Sequence, residues 1–232
     1  MEIADIFLQS GHNLEALAEN HPDKQERQRA REVFMRTLEM AFQLRAQHLT
    51  SLPGIVWSQD PPGVSLERSA EELAWRVEEA RRAGVVYAIE PHMWSVVPTP
   101  EAVLRLIELA PGLTLSLDYS HFFAQGFTSE QLEPLARHAS HVHARAAARG
   151  LLQAPLAINE FDFKSMLGWL RSAGFRGWIT VEYVRLKDVP QVPNVDNHNE
   201  TIRMRDLLRK EWAALNAEQE PVTNNMVDQG NE

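Results

Sequence analysis

The chain has 232 residues, 44% hydrophobic and 24% charged, with 23 Lys plus Arg against 32 Asp plus Glu and a net charge of −9. That balance builds a core and would repel a phosphate backbone on average, which argues against nucleic acid as a partner. Cysteine is absent, excluding disulfides, thiolate metal sites and cysteine nucleophiles. No apolar run approaches the ~18 residues that cross a bilayer. The first residues also lack the basic start of a signal peptide, so the expectation is a cytoplasmic protein with no membrane partner.

Short β-rich runs alternate with longer helical stretches along the chain. Residues 3–9 read as a strand, followed by a helix over 26–45 in which Val33, Phe34, Leu38, Ala41 and Phe42 recur at helical spacing. A strand at 48–52 precedes a helix over 66–82, marked by Leu66, Ala70, Leu73, Ala74 and Val77. The charges of 71–82 read as a solvated face with i,i+4 pairs. After a strand at 85–90, Thr99-Pro100-Glu101 opens a third helix with an N-cap and a first-turn proline, and Pro111-Gly112 stops it. Strands at 113–118, 141–145 and 178–184 follow, with helices predicted over 129–137, 163–173 and 199–215. Residues 1–216 read as one domain, and 217–232, acidic and without Lys or Arg, as a disordered tail. Regular alternation of this kind points to parallel βαβ units and an α/β fold.

The strand faces narrow the choice. Leu113, Leu115 and Leu117 oppose Thr114, Ser116 and Asp118; Val142 and Ala144 oppose His141, His143 and Arg145; Ile179, Val181 and Tyr183 oppose Thr180 and Glu182. A doubly wound sheet wants both faces apolar, because helices cover both. One apolar face and one that turns polar toward the strand's C-terminal end fit a TIM-type barrel, whose active site sits at that mouth.

Glu90, Asp118 with His121, His143 and Glu182 stand at four such strand ends. A carboxylate buried there is costly unless paired, hydrogen-bonded or bound to a metal, so residues at matching depth suggest one shared cation. Three carboxylates and an imidazole make an oxygen-rich set that suits Mn²⁺, Mg²⁺ or Co²⁺ better than a closed zinc site, with zinc still admissible. His141, one pleat deeper, reads as a hydrogen-bonded core histidine outside the metal shell, and His48 as low in the barrel. His138 reads as a helix-dipole partner, and His12, His21 and His198 as solvent-facing.

At Tyr87-Ala88-Ile89-Glu90-Pro91-His92, Leu117-Asp118-Tyr119-Ser120-His121-Phe122, His141-Val142-His143-Ala144-Arg145, Gly177-Trp178-Ile179-Thr180-Val181-Glu182-Tyr183 and Asp196-Asn197-His198-Asn199-Glu200-Thr201, the sequence resembles the xylose isomerase-like TIM barrel superfamily. The likeness is to its sugar phosphate isomerase/epimerase branch, over roughly residues 1–217. The resemblance implies that Glu90, Asp118, His143 and Glu182 ligate a divalent metal and that Glu90 and Glu182 also move protons. It implies substrate-binding roles for His121 and Arg149. His92 and Arg145 join this substrate-binding set, and Arg145, on the His143 face, favours an acidic or phosphorylated substrate. Residues 146–148, all alanine, stand where ketose epimerases of the superfamily often carry a carboxylate.

The expected activity is a divalent-metal-dependent isomerase or epimerase. It would act on a sugar, sugar phosphate or keto-sugar acid through an enediolate. The alternatives are a lyase (dehydratase) on the same site, or a non-catalytic barrel that acts as a binding module. A closed barrel of this type has eight strands over ~250 residues, and only six are found. Residues 3–9 resemble the family's third strand and 178–184 its eighth. The barrel is therefore expected to lack its first two βα units and to expose open parallel edges, with three alternatives: a native chain that starts upstream, a second copy that covers the gap, or an open six-stranded remnant.

Overall fold

In a computed structural model, residues 2–217 are described; of the tail predicted over 217–232, Ala217 closes the last helix and the rest lies outside the described residues. The alternation of the sequence becomes a series of βα units: β1 (Ile6–Leu8), α1 (Lys24–Leu44), β2 (His48–Ser51), α2 (Val64–Arg82), β3 (Val86–Ile89), α3 (Pro100–Leu109) and β4 (Thr114–Asp118). Two single turns, α4 (Ser120–Phe123) and α5 (Ser129–Leu132), precede β5 (Ala139–Ala144), α6 (Phe163–Ser172), β6 (Ile179–Val181) and α7 (Asn197–Ala217).

Local chemistry sets the helix ends. Asp23 accepts from the Gln25 amide at the start of α1, and Arg45 closes it in the left-handed region. Thr99 caps α3 through the Ala102 amide, with Pro100 in the first turn as predicted. The helix predicted over 129–137 divides instead. After α5 the chain tightens into a 3-10 turn, Glu133–His138, because Pro134 has no N–H to give an α-helical ladder. The single turn of α4 was not predicted, being too short to leave a periodic pattern.

All six strands are parallel and ordered β1-β2-β3-β4-β5-β6, forming a curled half-barrel with helices around it. Among the described residues β1 and β6 each pair on one side only, so both edges are free. Leu49, Ile89, Leu115, Leu117 and Val142 point outward and are fully buried in one core with Phe34, Leu73, Leu106, Leu135 and Leu170 of the surrounding layer. Each such side chain contributes roughly 1.5–3 kcal/mol of apolar transfer.

One expectation fails on α2. Glu72 and Arg76 face inward and are buried, not solvated. Glu72 accepts from Arg27 and Arg31 of α1 and from Arg76, so the ion cluster ties α1 to α2. Glu78 with Arg81 and Arg82 keeps the predicted exposed face.

Glu19 lies buried near this cluster. Loss of hydration pushes its carboxyl up to about 7, the attraction of Arg76 offsetting only part of that. Between the unfolded value and pH 7 the folded state holds a proton that the unfolded chain releases, so stability falls as pH rises through this window. Glu19→Gln should match the wild type near pH 4 and exceed it by about 2–3 kcal/mol at pH 8 in urea titrations. A difference that does not change with pH would show that the carboxyl is already ionised in the folded protein.

Candidate active site

The polar faces of the strands meet inside the curl in two tiers. In the lower tier Asp5 accepts from His48 at 2.7 Å, the other His48 nitrogen meets Ser140 Oγ at 2.8 Å, and Thr114 joins Ser140. His141 bonds Thr180 at 2.9 Å, and burial pushes its imidazole down to about 4. His48 and His141 therefore sit where the sequence placed them, as hydrogen-bonded histidines below the mouth.

The upper tier brings together Glu90, Asp118, His121, His143, Arg145 and Glu182. The pairing register sets Asp118 beside His143 and His143 beside Thr180, which carries Glu182 one step further along β6. The Glu90 amide continues the β2–β3 ladder to Ser51, so its side chain leaves from the very end of β3. His143 Nδ1 donates to Glu90 Oε1 at 2.7 Å and lies 3.3 Å from Glu182 Oε2. Arg145 Nε donates to Asp118 Oδ2 at 2.8 Å, and its NH2 bridges the same Oδ2 and Glu182 Oε2. Ser120 adds its amide and hydroxyl to Asp118 Oδ1, at 2.9 and 2.5 Å.

Burial and neighbouring charge pull these groups apart. Burial alone would raise Glu90, but its hydrogen bond and attraction to His143 hold it below the usual range. The same contact lifts His143 to about 9 against its own burial. Burial would also raise Asp118, yet the Arg145 charge holds it at about 2. Glu182 is pushed up to about 7 by burial, with the Glu90 and Asp118 charges adding to it and Arg145 opposing.

A pocket of about 200 Å³ opens above this tier, with Glu90, His92, His121, Arg145 and Glu182 at its base. Its walls are Phe7, Leu52, Trp94, Leu152 and Leu186 among others. His92 Nε2 and His121 Nδ1 are buried without a partner. Burial lowers both imidazoles, His92 to about 4. Of the substrate-binding residues expected from the sequence, His92, His121 and Arg145 reach the pocket. Arg149 is not brought there: its guanidinium stacks 4.3 Å over Phe123 and donates to the carbonyls of Phe123 and Phe127 on the outer surface.

Sequence reasoning missed Ser120 and the aromatic walls Phe7 and Trp94. Ser120 had a readable signal, since Asp-x-Ser at the end of a strand is an Asx-turn pattern. Phe7 and Trp94 had none, because an aromatic residue beside a strand end more often serves the core.

The donor sets fit a cation geometrically. Ligand atoms of Glu90, His143 and Glu182 lie within 4.8 Å of one another, and so do those of Glu90, Asp118 and His121. The four expected ligands thus fall into two overlapping groups that share Glu90, and a third group joins His143 to Asp5 and to His141, the histidine expected outside the metal shell.

The xylose isomerase-like TIM barrel model matches residues 4–210. The chain belongs to that family. Among solved structures of this fold, L-ribulose 3-epimerase superposes with a TM-score of 0.72 at 19% identity, covering 96% of this chain and 78% of that one. D-psicose 3-epimerase from Clostridium cellulolyticum H10 gives a TM-score of 0.70 at 14% identity, over 85% and 75% of the two chains. The IOLI protein with a bound zinc atom gives 0.66 at 19%, over 84% and 73%. At these identities the likeness is one of fold. No curated protein sequence matches the chain significantly. No described helix is long and apolar enough to cross a membrane.

Proposed function

We propose that this xylose isomerase-like barrel is a divalent-metal-dependent isomerase or epimerase. Its substrate would be a sugar or keto-sugar whose carbonyl and neighbouring hydroxyl enter the pocket above Glu90 and Glu182. The observation that carries the reading is the pair of glutamates at the base of one pocket, delivered from the ends of β3 and β6 to the same His143 nitrogen, Nδ1, at 2.7 and 3.3 Å. Proton removal from one face of a carbon and return to another face or a neighbouring carbon needs two such groups. Fold neighbours named as sugar 3-epimerases support the same class.

Glu90, His143 and Glu182 would hold the metal, with Asp118 as the expected fourth ligand. When bound, a divalent ion polarises a carbonyl and stabilises the charge that develops on its oxygen. The chain's own residues do the rest. Glu182 and Glu90 hold and move the proton. His92 and His121, which line the pocket, would contact substrate oxygens through their rings. Trp94 and the leucine walls give the pocket an apolar rim beside the reacting carbon.

Proton NMR in heavy water tests the reading. With Mn²⁺, a panel of ketoses and keto-sugar acids should include one that gains deuterium at the carbon beside its carbonyl, and chelation should stop the exchange. A product that has lost water would replace the isomerase with a lyase. A protein that takes up no divalent ion and exchanges no substrate would be a binding module instead.

A further inference from the structure

We propose that Arg145 is a tethered cation that competes with the divalent metal for Asp118 and Glu182, and so sets how tightly the site holds metal. The inference rests on the metal-dependent reading above and concerns a residue that the four-ligand pattern leaves out.

Of the three candidate ligand groups, the two in the upper tier share Glu90 and differ in the rest, one with His143 and Glu182 and the other with Asp118 and His121. Arg145 lies at their junction, its NH2 touching Asp118 of one group and Glu182 Oε2 of the other. It stands where a single cation would have to draw on both.

Donor counting shows what a metal must displace. A carboxylate offers about four lone-pair positions. Asp118 already receives four N–H or O–H donors, from the Ser120 amide and hydroxyl at Oδ1 and from Arg145 Nε and NH2 at Oδ2. The Ser120 contacts are made two residues away and are fixed by the turn. Arg145 is the partner with a long, rotatable side chain, so it is the one to move. Its side chain is 4% exposed, so water screens its charge poorly and an incoming dication would meet it at short range. Asp118 thus becomes a metal ligand only when Arg145 gives up Oδ2.

Isothermal titration of the metal-stripped full chain with Mn²⁺ tests this without any assay of activity. Arg145→Gln, which keeps a donor for Asp118 but no charge, and Arg145→Met should each bind Mn²⁺ at least about tenfold more tightly than wild type. Arg145→Lys, which keeps the charge, should stay within about threefold. Melting curves add a second readout: the rise in Tm on adding Mn²⁺ should be larger for the Gln variant than for wild type. Equal or weaker binding by the Gln and Met variants, with wild type binding normally, overturns the role of Arg145 and leaves the metal-dependent reading intact. Absence of Mn²⁺ binding in every protein overturns both.

Discussion

Glu182→Gln is expected to abolish exchange of the carbon-bound substrate proton with solvent, lowering kcat by about a thousandfold, within the usual range for losing a general acid or base. The substitution keeps size and hydrogen bonding but removes the group that holds the proton. Glu182 differs from Glu90 in its surroundings, although both are strand-end glutamates. Glu90 faces the His143 imidazolium at 2.7 Å and stays ionised. Glu182 is pushed up to about 7 by burial first, with the charges of Glu90 and Asp118 adding to it. Glu182 is also the more exposed of the two and lines the pocket. Circular dichroism and urea midpoints should be nearly unchanged, because β6 is an edge strand whose apolar contacts come from Ile179 and Val181. Solvent exchange at the wild-type rate in this variant would remove Glu182 from the mechanism.

Asp118→Ala is expected to give the largest loss of stability in the site, about 3–5 kcal/mol, because it leaves the Arg145 guanidinium buried with only Glu182 to face it. Asp118→Asn should cost less, since an amide oxygen can still accept from Ser120. The pH dependence follows from the low carboxyl value. A group held at about 2 contributes stability that is fully present above the ordinary aspartate range and is lost as pH falls through it toward 2. The gap between wild type and Asp118→Ala should therefore narrow in acid. Urea unfolding between pH 7 and pH 2 measures both effects. A cost under about 1 kcal/mol at pH 7 would mark the pair as solvated rather than buried.

Much of the fold was legible because periodicity is a local property. The alternating faces of β4 and β5 separate Leu115, Leu117 and Val142 from Asp118 and His143, and the cap at Thr99 is readable within a few residues. The depth of Glu90, Asp118, His143 and Glu182 was legible for the same reason, since each closes a strand of known direction. Failures came where long-range packing decides. Glu72 and Arg76 satisfy the i,i+4 pattern of a surface pair, yet the docking of α1 onto α2 buries them. Arg149, a substrate contact by resemblance, is held instead by the carbonyls of Phe123 and Phe127, contacts that no local pattern signals.

The sequence by itself determined that six parallel βα units carry acidic and histidine side chains to one end of a curled sheet, because side-chain alternation and helical spacing need only neighbouring residues. The tertiary structure alone decided how those side chains divide. It brought two glutamates to one nitrogen of His143, gave Asp118 four donors, and drew Arg145 across both upper-tier ligand groups. Those outcomes depend on strand register and on distances between residues far apart in the chain. The identities of the charged groups were encoded locally, but which charge neutralises which was set only when the sheet curled.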